Sequence, residues 1–180
     1  MLNLRNALSV TVVSVAMAGG VAQADMVRDL SPGIAVMGGV IDPELSGASS
    51  DWGYGVEASA DCLLLQPAQG VLRHQLSITR YDDRPLRMTS TELNTHWMFE
   101  VAPRLEIGAG PGISYMRARL GGETNGLWGA QVGGSMNYTL DNNVFMGVEA
   151  RYQFTESERF HGVSEDMDNY RVMGKVGIRM

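Results

Sequence analysis

The chain has 180 residues, 20 acidic against 14 basic, and a formal net charge of −6. That length suits one domain and excludes a large multidomain enzyme, and the acidic balance argues against nucleic acid as a partner, which requires a basic surface. Charged residues make up 19%, 22 positions are glycine and 44% are apolar. Ordinary soluble domains carry about 25% charge and about 7% glycine, and a disordered chain would be less apolar. A mean hydropathy of −0.07 without a long apolar run excludes a polytopic helical membrane protein.

Residues 1–24 read as an export signal. Arg5 is the only charge, an apolar stretch runs from Ala7 to about Ala18, and Ala22-Gln23-Ala24 supplies the small-x-small cleavage pattern. The apolar part is shorter than the roughly 20 residues that span a bilayer. Cleavage would leave 156 residues beginning at Asp25, with a net charge of −7 because one arginine is lost. The residue immediately after the cleavage site is Asp25 and not cysteine, so no lipoprotein anchor is indicated. The single cysteine, Cys62, rules out an intrachain disulfide and reads as a small apolar packing residue.

From Ile34 onward the dominant period is two, which belongs to strands with unlike faces. The alternation predicts eight strands, over 33–41, 52–65, 70–81, 88–101, 105–118, 126–140, 144–156 and 169–180. The first has few polar residues on either face. In the second, Tyr54, Val56, Ala58, Ala60 and Cys62 oppose Gly55, Glu57, Ser59 and Asp61. The third is less regular, with His74 among Leu72, Leu76 and Ile78. In the fourth, Leu93, Thr95, Trp97, Phe99 and Val101 oppose Glu92, Asn94, His96, Met98 and Glu100. The sixth sets Trp128, Ala130, Val132, Met136 and Tyr138 against Gly129, Gln131, Gly133, Ser135 and Asn137. The seventh sets Val144, Met146, Val148, Tyr152 and Phe154 against Phe145, Gly147, Glu149, Arg151 and Gln153. The last sets Tyr170, Val172, Val176 and Ile178 against Arg171, Met173, Lys175 and Arg179. The connections 66–69, 102–104 and 141–143 read as tight turns. Those at 42–51, 82–87, 119–125 and 157–168 read as longer surface loops. Tight turns at one end and longer loops at the other suit an up-and-down antiparallel barrel in an outer membrane, with both termini on the periplasmic side.

The polar faces decide which way such a barrel is turned. They combine Gly, Ser and Thr with the acids Glu57, Asp61, Glu92, Glu100, Glu106 and Glu149 and the bases Arg73, Arg151, Arg171, Lys175 and Arg179. Near-balanced charge among small residues suits a narrow lumen, where each charge needs a partner. A soluble barrel's outside would carry more charge and many lysines; this chain has one lysine and thirteen arginines. Glu57, Asp61, Arg73, Glu149, Arg151, Arg171, Lys175 and Arg179 are therefore expected to form a structural ion-pair network in the lumen. Tyr54, Trp97, Trp128, Tyr138, Tyr152 and Tyr170 share the apolar face, as interfacial aromatic girdles do.

The stretch from Leu105 to Phe154 resembles the eight-stranded outer-membrane β-barrel family that includes the OmpA transmembrane domain and opacity-type proteins. The resemblance rests on LEIGAGPGISY (105–115), GLWGAQVGGSMNYTL (126–140) and DNNVFMGVEARYQF (141–154). The first half matches only in strand count and period. The terminal Met180 replaces the aromatic residue that usually ends the family, and Gly174 sits one place from the family's usual glycine. The resemblance implies a transmembrane barrel of a Gram-negative cell envelope. Its partners would be outer-membrane lipid, lipopolysaccharide and, during biogenesis, the barrel-assembly machinery. The implied role is structural or interactive, with four surface loops around a closed lumen; no motif in those loops names a surface partner.

The competing readings are a narrow porin-like pore, a lipid A-modifying enzyme and a soluble periplasmic barrel binding an apolar ligand. Eight strands leave a lumen just filled by side chains, which disfavours the pore. A deacylase-type resemblance would need His-x-Ser on a late strand, where this chain has Arg151-Tyr152-Gln153-Phe154-Thr155. His161 and Ser164, beside Glu165 and Asp166, read as a solvated loop. His96 lies four residues from both Glu92 and Glu100, about 13 Å along a strand in each direction, too far to share a metal. The Gly108–Gly112 segment lacks the helix and Gly-Lys-Ser/Thr of a phosphate loop. No catalytic residue, metal or cofactor is expected.

Overall fold

The computed structural model describes residues 30–44, 49–65, 67–83, 86–156, 158–160, 163–165 and 167–180. The expected export signal lies outside them. The strands are β1 (Gly33–Pro43), β2 (Asp51–Asp61), β3 (Val71–Asp83), β4 (Leu86–Ala102), β5 (Leu105–Leu120), β6 (Glu123–Thr139), β7 (Val144–Thr155), β8 (Glu158–Phe160), β9 (Val163–Glu165) and β10 (Asn169–Arg179). Strands β1 to β7 and β10 form a closed antiparallel barrel, and β8–β9 form a separate hairpin. Closure runs through β1 against β10, from Gly33 opposite Arg179 to Pro43 opposite Asn169. The start of β1 and the end of β10 therefore lie at one end, the terminal end, with the β2–β3, β4–β5 and β6–β7 connections. The other four connections lie at the loop end.

The alternation of the sequence becomes the two faces of the wall, and the faces are inverted relative to a soluble protein. On β10, Asn169, Arg171, Met173 and Lys175 point inward and are buried, while Tyr170, Val172, Val176 and Ile178 face out. Val36 is 65% exposed and Val176 52%, whereas Lys175 is 3% and Arg151 1% exposed. A continuous apolar exterior around a charged interior is stable only where the exterior meets an apolar medium. Tyr54, Trp97, Trp128, Tyr138 and Tyr170 are all exposed on this outer wall.

The lumen changes character along its axis. Towards the loop end an apolar cluster fills it, built from residues such as Met37, Tyr81, Met88, Met116, Leu127 and Met173. Unbranched methionines fit an irregular, tapering space. Charged residues occupy the middle and the terminal end.

Several expected boundaries shift, each for a visible reason. Strand β2 ends at Asp61 instead of residue 65, because Cys62-Leu63-Leu64-Leu65 is an apolar run without alternation. Its ladder closes where Cys62 N–H donates to Leu72 O at 2.7 Å, and the connection to β3 is accordingly longer than the expected tight turn. At the loop end the opposite occurs. The residues 119–125 shrink to a turn at Gly121 and Gly122, with φ of 58° and 102°. Two positive φ values suit a two-residue hairpin turn, which twists with its strands. The charges Arg117 and Arg119 continue the strand alternation on β5. Strands β3 and β4 likewise extend to Asp83 and from Leu86. Of the four connections at the loop end, β5–β6 is thus a two-residue turn, and β3 and β4 stay paired as far as Asp83 opposite Leu86. The expected loop 157–168 contains the β8–β9 hairpin.

Candidate functional site: the charged lumen

Mid-barrel, three acids meet three bases: Glu57, Glu92 and Glu149 with Arg151, Arg171 and Lys175. Glu92 on β4 is the hub. Arg171 on β10 donates from both guanidinium tips to its two oxygens, each at 2.5 Å. Strands β4 and β10 lie four positions apart in the eight-strand ring, so this bidentate pair spans the lumen's diameter. Arg151 donates to Glu92 at 2.8 Å and to Glu149 at 2.7 Å. Lys175 bridges Glu57 at 2.8 Å and Glu149 at 3.3 Å. Neutral donors and acceptors add to the shell: Thr79 donates to Glu92 at 3.0 Å, and Arg171 donates to Gln131 Oε1 at 2.7 Å.

A second cluster sits nearer the terminal end. Arg73 donates to Asp61 and to Glu106, both at 2.7 Å, and Arg179 donates to Glu106 at 3.0 Å. Two acids again meet two bases. The Arg179 guanidinium also lies over the Phe145 ring, 5.6 Å from its centroid.

All eight residues expected in the network point inward, in two groups: Glu57, Glu149, Arg151, Arg171 and Lys175 in one, Asp61, Arg73 and Arg179 in the other. Glu92 and Glu106, inward by their phase but not assigned to the network, are its principal acceptors. The signal for Glu92 was its place between Ser90 and Asn94 on the same inward face. Glu100 is a correction. The β4–β5 register shifts between Glu100 and Ala102, which ends the alternation, and Glu100 is exposed at the turn, accepting from Arg104 N–H at 3.2 Å.

Small inward residues make room for the long ones. A Cβ on Gly133 would lie 2.6 Å from Arg151 Cγ and 2.7 Å from Ala150 O, so glycine there lets Arg151 cross the wall's inner surface. A lumen cavity on the apolar side of the network, lined by residues including Tyr81, Met88 and Arg171, measures about 10 Å³. That is room for about one water molecule.

One pair escaped the sequence reading because its members lie 39 residues apart: His96 Nδ1 is 3.0 Å from Ser135 Oγ. His96 is wholly buried and Ser135 nearly so, which encloses both behind the wall. Glu92 is on the same inward face of β4 as His96, while Glu100 is not. Among the described residues no group of three or more His, Cys, Asp or Glu is placed to hold a metal. His161 and Asp166 lie outside the described residues, as do the side chains of Ser164 and Glu165.

Closed eight-strand topology with an inverted wall can be set against known structures. Neisserial surface protein A is 16% identical to this chain, with a TM-score of 0.61 over 83% of this chain and 97% of that one. The chain has the fold of the small outer-membrane barrels. The N-terminal β-barrel domain of Pseudomonas aeruginosa OprF gives a TM-score of 0.55 at 14% identity, covering 82% of this chain and 97% of that domain. The outer membrane enzyme PagL gives 0.53 at 14% identity, covering 82% and 99%. No protein-family profile and no curated protein sequence matches the chain. The fold thus accommodates a surface protein and an enzyme alike, and function has to be argued from the site.

Proposed function

We propose that this protein is a non-enzymatic barrel of a bacterial outer membrane, exported by its 1–24 segment, with a structural or surface-interaction role. Its lumen is sealed by the two ion-pair clusters, and assembly machinery and lipopolysaccharide meet its outer wall. The observation that carries this reading is the Glu92–Arg171 bridge, which joins opposite walls within a network of three acids and three bases. Such a crossbar closes the interior to solutes while leaving the apolar exterior to lipid. Sugar and ion flux into vesicles carrying the refolded protein is expected to match that of empty vesicles. Rapid sugar uptake would refute the sealed lumen, and recovery from the periplasm without detergent would refute the membrane location.

The enzyme reading is kept alive by the likeness to PagL. Against it stands the burial of His96 and Ser135, which no lipid can reach without opening the wall. Lipid A from cells with and without the protein should have the same acyl-chain count by mass spectrometry. A reproducible loss or gain of one chain would reverse this assignment.

A further inference from the structure

The outer wall of β3–β6 changes abruptly beyond its aromatic belt. Tyr115 and Trp128 stand opposite one another in register, with ring centroids 5.2 Å apart. Two residues nearer the loop end, the outward row is Arg80, Thr89, Arg117 and Gly126. The next is Asp82, Arg87, Arg119 and Thr124. All four arginines are exposed. Successive outward rows are about 7 Å apart. Aromatic belts settle at the boundary between hydrocarbon and headgroups, which puts these rows at the depth of lipid phosphates.

The charge there is unbalanced. Asp82 serves both Arg87 at 2.7 Å and Arg80 at 3.5 Å. Arg117 and Arg119 share this exposed face with Arg80 and Arg87. Arg87 stands directly opposite Arg119, a like-charge pair that destabilises a sheet. Glu123 stands opposite Leu120 at the turn, and counting it with Asp82 against four arginines still leaves a net positive face. The arrangement is held on rigid paired strands, unlike charges on a mobile loop. An anion between Arg87, Arg117 and Arg119 would turn the repulsion into shared attraction, and the guanidinium fork matches a phosphate's oxygens.

We propose that Arg80, Arg87, Arg117 and Arg119 form a docking face for the phosphate groups of a lipid headgroup in the leaflet around the loop end. The assignment rests on the membrane-barrel reading above and names a lipid site for it. Direct arginine contact, without a bridging cation, sets the affinity.

The test uses the refolded full-length barrel in mixed phosphatidylcholine micelles with lipid A or its dephosphorylated form, and counts retained lipid by native mass spectrometry. Wild type is expected to retain lipid A about tenfold over the dephosphorylated lipid, the scale of a charge-assisted pair. R117Q/R119Q should bring the two lipids to parity, and R117K/R119K should restore part of the preference. R104Q, at the terminal end, should leave it unchanged. Heat-dependent gel mobility verifies that each variant folds. Parity in wild type, or a full preference in R117Q/R119Q, overturns the proposal. Displacement of lipid A by excess inorganic phosphate would also overturn it, by showing a free-phosphate site. If the membrane reading itself were wrong, the protein would fail to enter lipid at all, a different outcome from entering without preference.

Discussion

Glu92 and Arg171 face each other across the full width of the barrel, joined by two 2.5 Å hydrogen bonds. Each is nearly inaccessible to solvent, so removing Glu92 takes from Arg171 the acid it is paired with, while Arg151 keeps Glu149. Breaking a buried pair in this way typically costs about 3–5 kcal/mol. Glu92→Gln is expected to lower unfolding free energy by about 3 kcal/mol, the low end of that range because the amide still accepts one hydrogen bond. Urea titration of the vesicle-inserted barrel, followed by tryptophan fluorescence, measures it. The double variant E92L/R171M should recover much of the loss, because an apolar pair needs no partner. A double variant as unstable as E92Q would mean that the bridge is not the source of the effect.

Glu149 supports the same network from the next strand. It accepts from Arg151 at 2.7 Å and from Lys175 at 3.3 Å. Glu149→Ala is expected to lower the urea midpoint by an amount equivalent to about 3 kcal/mol. The effects of E92Q and E149A should fall short of additive, since both leave the shared Arg151 short of an acceptor. Asp141→Asn supplies the contrast. Its partner Arg104 is at an exposed turn, and such pairs contribute about 0–1 kcal/mol, so the midpoint should barely move.

The barrel was legible in the sequence wherever one face was apolar and the other polar. Strands β7 and β10 show this directly, because lipid-facing and lumen-facing residues obey opposite rules. The reading failed where charge continued beyond the belt. Arg119 falls in the expected loop 119–125, yet with Arg117 it alternates against Ala118 and Leu120, and the wall extends past the apolar band. It failed again at Cys62–Leu65, where apolar residues were mistaken for strand although they do not alternate. Which charges point inward followed from phase. Which acid pairs with which base did not, since Glu92 and Arg171 are 79 residues apart and meet only when the sheet closes.

Two glycines separate space from backbone as reasons for their identity. Gly133 has an ordinary strand conformation, but an added Cβ would fall 2.7 Å from the fixed Ala150 oxygen and 2.6 Å from Arg151. Gly133→Ala must therefore shift the β6–β7 wall or displace Arg151 from Glu92 and Glu149, and overpacking of this kind costs about 1–3 kcal/mol. Gly122 has no atom within 4 Å of such a Cβ, but its φ is 102°. Gly122→Ala is limited by backbone strain alone, about 1–2 kcal/mol. The two should differ in kind as well as size. Combined with E92Q, G133A should lose less than the sum, because both act on Arg151, whereas G122A should add in full. Urea midpoints of the three single and two double variants decide this. Full additivity for G133A would show that the Arg151 side chain yields without disturbing its ion pairs, and would place the glycine's importance in wall packing alone.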